Sequence, residues 1–103
     1  PSSMKLAIEN FAKMEGEKVL ILGSMMELGE ASDAEHEMIV TLVKAHPWKA
    51  VTFTGQGYKN LPSAFLYFNN AAETADWYKK QSFKNVTVLI KGSRSMQMEK
   101  VVE

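Results

Sequence analysis

Hydrophobic residues follow two alternating patterns along this chain: short continuous runs, and a spacing of three and four positions. The second pattern is typical of a helix with one buried face. It predicts a helix from Ser2 or Ser3 that ends at 15–17, a second from the capping box at 32–35 that ends before Pro47, and a third from Asn70 to Lys80. Their predicted inner faces are Met4, Ala7, Ile8, Phe11 and Met14; Met38, Ile39, Leu42 and Val43; and Ala71, Ala75 and Tyr78.

The continuous runs predict four strands, at residues 19–22, 50–54, 64–68 and 86–90. The first run has no polar alternation, which is typical of a central parallel strand that helices cover on both faces. After the fourth strand, the chain turns into a predicted last helix with apolar positions at Met96, Met98, Val101 and Val102.

Strands that alternate with helices predict an α/β fold, a Rossmann-like and mostly parallel sheet with helices on both faces. Right-handed crossovers give the strand order 3-2-1-4, so the first and fourth strands are neighbours. Connections leave these two strands in opposite directions, and ligands of open α/β sheets bind at such a switch point. We therefore expect the loops at 24–29 and 91–95 to face each other there.

The loop at 91–95 contains the only arginine of the chain, Arg94, together with Lys91 and Ser93. A strand that leads into a helix N-terminus favours an anion, and arginine binds carboxylate or phosphate through two hydrogen bonds. The loop is therefore a candidate anion pocket. The alternative is that Lys91 and Arg94 are solvated charges and that the serines cap the helix.

Two titratable residues near the opposing loop are further candidates. Glu27 could receive a substrate ammonium group, or it could pair with Lys91 or Arg94 across the switch point. His36, in the first turn of the second helix, could titrate near neutral pH. The alternative for His36 is a surface or capping residue.

Composition narrows the classes of partner. The 103 residues include no cysteine, which excludes disulfides and thiolate metal sites, and 12 basic residues balance 12 acidic ones, so no general field attracts nucleic acid. No apolar run reaches the ~20 residues of a membrane span, and a signal peptide is not evident, so we expect a cytoplasmic protein. The abrupt ends at Pro1 and Glu103 suggest a fragment of a longer polypeptide.

Several catalytic motifs are absent from the sequence. We find no phosphate-binding loop, no carboxylate cluster for magnesium, and no nucleophile with a base at a recognisable spacing. We therefore expect no catalytic residue in this fragment. A free-standing ligand-binding or receiver-like signalling module, and an interaction domain without a ligand, are the alternatives to a part of an enzyme.

The motifs themselves resemble those of one family. Pro1-Ser2-Ser3-Met4 is similar to the end of an Asn-x-Asn-Pro-x-Ser-Met segment, residues 22–29 resemble Leu-Gly-Asp-Met-x-Glu-Leu-Gly, Glu35-His36 resembles a Glu-His pair, and residues 91–99 resemble Lys-Gly-Ser-Arg-Gly-Met-x-Met-Glu. These motifs are typical of the C-terminal domain of the bacterial Mur ligases that add D-alanyl-D-alanine to UDP-N-acetylmuramoyl-tripeptide. Ser24 and Ser95 depart from the usual aspartate and glycine.

The resemblance implies that residues 1–103 are one domain of a three-domain ligase of peptidoglycan synthesis. In that family ATP and Mg²⁺ are bound mainly by the central domain, the tripeptide is activated as an acyl phosphate, and the C-terminal domain closes over the reaction. The implied partners are the other two domains, UDP-N-acetylmuramoyl-tripeptide, D-alanyl-D-alanine and ATP. Lys91, Ser93 and Arg94 would bind the dipeptide carboxylate or a phosphate, supported by Ser24, Glu27, Gly29 and His36.

Overall fold

Four strands form one parallel sheet in a computed structural model that describes residues 2–25 and 32–103. The elements are α1 (Ser2–Ala12), β1 (Glu17–Gly23), α2 (Ser32–Lys44), β2 (Ala50–Thr54), β3 (Leu66–Phe68), α3 (Ala71–Gln81) and β4 (Val86–Lys91). The strand order is β3-β2-β1-β4, and each neighbouring pair is parallel. The predicted fold class and strand order are therefore confirmed.

The central strand β1 divides the core into two layers. Leu20 and Leu22 belong to a cluster with apolar residues of α1 and α2, whereas Val19 and Ile21 belong to a second cluster with residues of α3 and the C-terminal segment. All four side chains are fully buried. The unbroken apolar run of β1 thus arises because alternate residues meet helices on opposite faces of the sheet.

The helix ends follow local signals in the sequence. The side chain of Asn70 accepts a hydrogen bond from the Glu73 amide at 2.9 Å, which confirms the predicted cap of α3 and is worth about 1 kcal/mol. The Lys18 ammonium group donates to the carbonyls of Ala12 and Met14, each at 2.7 Å, just where α1 ends. Because α1 ends at Ala12, Met14 does not join the buried face as predicted and is 48% exposed.

Two other element predictions were wrong in extent or type. The third strand covers only Leu66–Phe68, since Ala64 and Phe65 lie in a turn before it. The predicted last α-helix is instead a pair of short 3₁₀ helices, Arg94–Met96 and Met98–Val102. Gln97 lies between them in a left-handed conformation with φ of 51°, which interrupts α-helical geometry. Two apolar positions of this segment, Met98 and Val101, are buried as predicted, but Val102 is exposed.

None of the helices within residues 2–25 and 32–103 combines the length and apolar character that crossing a membrane requires.

Candidate functional site at the ends of strands β1 and β4

Two glycines bring the ends of β1 and β4 together. Leu22 pairs with Lys91 in the sheet register, and Gly23 and Gly92 follow them directly. A β-carbon added at residue 92 would lie 2.9 Å from Cα of Gly23, closer than side chains approach a backbone. Only a pair of residues without side chains permits this contact, so the two turns meet backbone to backbone.

A hydrogen bond joins the two turns one residue further along. The amide of Ser93 donates to the carbonyl of Ser24 at 2.9 Å. The predicted meeting of the loops across the switch point is therefore observed for the described residues. Glu27 and Gly29 lie outside the described residues, and their predicted roles stay predictions.

The three predicted ligand-binding residues line one cavity of about 400 Å³. Arg94 is exposed, Lys91 is half-buried, and Ser93 is only 3% exposed. Glu99 also lines the cavity. The wall therefore offers two positive groups and one carboxylate, a set that can receive an anion and an amine together.

The helix that follows this turn adds little to an anion site. The sequence pattern predicted an α-helix N-terminus after Lys91, but the segment Arg94–Met96 is a 3₁₀ helix of three residues. So short an element has almost no macrodipole, because few peptide dipoles are aligned. Ser93 occupies the N-cap position but makes no side-chain cap, so the capping alternative for Ser93 is wrong. Its hydroxyl lies 3.3 Å from that of Ser95.

Ser24 is a supporting residue that does not line the cavity. Its side chain is fully buried, and its hydroxyl lies within hydrogen-bonding distance of the carbonyls of Thr54, at 3.2 Å, and Gln56. Its amide also donates to the carbonyl of Thr54 at 2.9 Å. Ser24 therefore ties the turn after β1 to the end of β2, a contact that needs a donor rather than a carboxylate.

His36 is a buried residue at the same edge of the sheet, so the alternative of a surface residue was wrong. Its side chain is fully buried, and Nε2 accepts a hydrogen bond from the amide of Met25 at 2.9 Å. Since Nε2 is the acceptor, the neutral ring carries its proton on Nδ1. His36 thus fixes the residue that follows Ser24.

Tyr58 is a supporting residue that the sequence analysis missed. Its hydroxyl donates to the carbonyl of Gly23 at 2.8 Å, and its ring makes an edge contact with the ring of His36, with centroids 4.5 Å apart. Burial raises the pKa of the Tyr58 phenol, which keeps it protonated as a donor. An aromatic residue directly after the turn at 55–57 was the available signal.

The described residues contain no group of three or more histidine or acidic side chains that could hold a metal ion. The cations Lys91 and Arg94 fit carboxylate or phosphate oxygens instead. A receiver-like site would need a carboxylate at a strand end, whereas β1, β2 and β3 end at Gly23, Thr54 and Phe68.

Known proteins resemble this chain over nearly its full length. A UDP-N-acetylmuramoyl-tripeptide--D-alanyl-D-alanine ligase of Buchnera aphidicola is 36% identical over 107 residues, covering 99% of this chain and 24% of that protein. The ligase of the same name from Escherichia coli is 31% identical over 105 residues, covering 97% and 23%. This chain is homologous to part of the UDP-N-acetylmuramoyl-tripeptide--D-alanyl-D-alanine ligases. The resemblance inferred from the motifs is thereby confirmed.

The fold agrees with solved structures of the same ligases, which are also called MurF. The MurF ligase of Thermotoga maritima, determined in complex with ADP, superposes with a TM-score of 0.78 at 23% identity, covering 99% of this chain and 24% of that one. No protein-family profile matches the chain. The chain spans about a quarter of the length of the relatives it matches.

Proposed function

We propose that this chain is the C-terminal domain of a MurF ligase, the enzyme that joins D-alanyl-D-alanine to UDP-N-acetylmuramoyl-tripeptide in peptidoglycan synthesis. The complete enzyme uses ATP to convert the tripeptide carboxylate into an acyl phosphate, which the dipeptide amine attacks. ATP and Mg²⁺ are held mainly by a central domain outside this chain. The homology to MurF ligases over 97% and 99% of the chain supports this proposal, and the T. maritima neighbour was determined with ADP.

The role of this domain is to supply cations at the junction of its two turns. Arg94 is exposed at the rim of the cavity, and Lys91 lines the same wall beside it. When the domain closes, the Arg94 guanidinium binds the dipeptide carboxylate or a phosphate oxygen, and Lys91 screens negative charge nearby. Ser93, which is almost fully buried, forms part of the cavity wall beside these two cations. Among residues 2–25 and 32–103, we assign none a part in the chemical step.

This assignment rests on the cavity that Lys91 and Arg94 line. The cavity lies beside the contact between the two turns, which Gly23, Gly92 and a backbone hydrogen bond hold together. A dipeptide presents one carboxylate and one amine. Lys91 and Arg94 match the first group, and the Glu99 carboxylate on the same wall matches the second in charge. The closing domains supply the remaining contacts.

The test is Arg94→Ala in the complete ligase. A hydrogen bond to a charged group is worth roughly 1.5–3 kcal/mol, so the apparent KM for D-alanyl-D-alanine or ATP should rise by about 10–100-fold. Arg94→Lys keeps the charge but loses the bidentate geometry, so its KM should lie between those of the parent enzyme and Arg94→Ala. Lys80→Ala, which removes an exposed cation of α3, is the matched control and should change neither constant. Unchanged constants for both substrates in Arg94→Ala would refute the assignment.

A further inference from the structure

One peptide unit connects α2 to the turn that carries Arg94. The unit between Ser24 and Met25 donates its N–H to Nε2 of His36 at 2.9 Å, and its carbonyl accepts the amide of Ser93, also at 2.9 Å. The two hydrogen bonds leave the unit in opposite directions. A peptide unit is planar and rigid, so its two ends cannot reorient independently.

The His36 ring has little freedom to move. It is fully buried, and the Tyr58 ring packs edge-on against it. On another side, a β-carbon added to Gly57 would lie 2.7 Å from both Nδ1 and Cε1 of the ring. The ring is thus held at a fixed orientation, and its lone pair fixes the peptide unit in turn.

Polarisation reinforces the connection. When the N–H of a peptide is hydrogen-bonded, its carbonyl becomes a better acceptor, and the bond to that carbonyl is strengthened by about 10–30% in condensed phase. The bond from Met25 to His36 therefore strengthens the bond from Ser93 to the Ser24 carbonyl. Removing the His36 lone pair would leave the partly buried Met25 amide without its acceptor and would weaken the hydrogen bond from Ser93 to the Ser24 carbonyl.

We propose that His36 is a positioning residue for Ser93. As a neutral ring with its proton on Nδ1, it holds the Ser24–Met25 peptide so that the carbonyl fixes the Ser93 amide and the start of the turn to Arg94. The effect of His36 on ligand binding rests on the function proposed above. The connection itself requires no ligand and concerns only residues of this chain.

The direct test is NMR of this chain. An N–H···N hydrogen bond gives a scalar coupling between the Met25 amide nitrogen and Nε2 of His36, and the ring nitrogen shifts identify which nitrogen carries the proton. We expect both the coupling and the Nδ1-protonated form. A neutral ring protonated on Nε2, or the absence of the coupling, would overturn the proposal without any variant.

Variants then test the second step, with the exchange rate of the Ser93 amide as the readout. His36→Leu removes the acceptor and should speed exchange by about 5–10-fold relative to a core amide such as that of Leu20. His36→Gln offers an amide oxygen at a similar reach and should restore exchange to within about twofold. Tyr58→Phe removes a neighbouring hydrogen bond, to Gly23, but leaves the His36 acceptor in place.

The outcomes separate the proposal from general destabilisation. Faster Ser93 exchange in His36→Leu, with rescue in His36→Gln and little change in Tyr58→Phe, supports it. Unchanged exchange in His36→Leu, or equal acceleration in Tyr58→Phe, overturns it. Because neither measurement includes a substrate, this proposal and the ligase assignment, tested through Arg94, can fail independently.

Discussion

Gly92→Ala should disrupt the junction of the two turns more than its small size suggests. The new β-carbon would lie 2.9 Å from Cα and 3.2 Å from the carbonyl carbon of Gly23, and 3.1 Å from Cγ of Met98. Carbon atoms prefer separations of about 3.5–4.0 Å. Gly23 ends the central strand β1, which is paired on both sides, so its backbone cannot move away freely.

The expected loss of stability follows from these distances. Overpacking of this kind costs about 1–3 kcal/mol or more, and the lower entropy of the unfolded alanine chain offsets about 0.4–1 kcal/mol. We expect Gly92→Ala to lower the free energy of unfolding by about 2 kcal/mol, which corresponds to a melting temperature lower by roughly 10 °C for a domain of this size.

Gly23→Ala is the informative comparison, because the obstacle there is a side chain. The added β-carbon would lie 2.7 Å from Cγ and 2.9 Å from Sδ of Met98. In the Met98→Ala background that clash disappears, so a double-mutant cycle should give a favourable coupling of about 1–2 kcal/mol. The coupling of Gly92→Ala with Met98→Ala should be smaller, since the backbone of Gly23 remains in the way.

Guanidinium unfolding of the single and double variants, followed by circular dichroism, measures these quantities. A Gly92→Ala variant within about 0.5 kcal/mol of the parent chain would refute the steric reasoning, because surface substitutions alone produce changes of that size. Equal couplings for the two glycines would show that Met98, and not the backbone of Gly23, sets the cost.

Three further substitutions test buried polar side chains. Thr52 has no hydrogen-bond partner for its buried hydroxyl among the residues described, so Thr52→Val should raise the free energy of unfolding by about 1 kcal/mol. Thr54→Val loses a 2.7 Å hydrogen bond to Thr74 and should lower the free energy of unfolding by a similar amount. Urea midpoints measure both effects, and a lower midpoint for Thr52→Val would contradict the first prediction. Burial raises the pKa of Tyr58, so above pH of about 10 the phenol ionises in the unfolded chain but stays protonated in the folded one. The contribution of Tyr58 to the free energy of unfolding is therefore complete below that pH and falls above it by about 1.4 kcal/mol per pH unit. Tyr58→Phe should reduce this slope in unfolding curves between pH 9 and about 11, and an unchanged slope would contradict the assignment.

Most of the fold could be predicted because strong local patterns specify it. The apolar run of β1, the cap at Asn70 and the alternation of strands with helices each have a residue signature, and together they determine the strand order. The last helix could not be predicted, because its apolar spacing is compatible with α-helix and the left-handed conformation of Gln97 leaves no mark in the sequence. Asparagine or glycine is more usual at such a position.

The meeting of the turns after β1 and β4 could be predicted from topology, but the contacts that hold the turns together could not. Lys91 and Arg94 stand out as charges at a strand end, and topology brings them to the switch point. The contacts that hold the site are made by backbone groups, such as the Ser93 amide and the Ser24 carbonyl, and every residue carries those groups. The burial of His36 likewise depends on Tyr58, whose position after β2 becomes meaningful only in three dimensions.

The central claim is that the turns after β1 and β4 form one site at which Arg94 binds an anionic group of the ligase substrates. The most direct measurement is a crystal structure of the complete ligase with D-alanyl-D-alanine and a non-hydrolysable ATP analogue. We predict that the Arg94 guanidinium lies about 3 Å from a carboxylate or phosphate oxygen of one of them. A closed complex in which both ligands are bound and Arg94 points into solvent would contradict the claim.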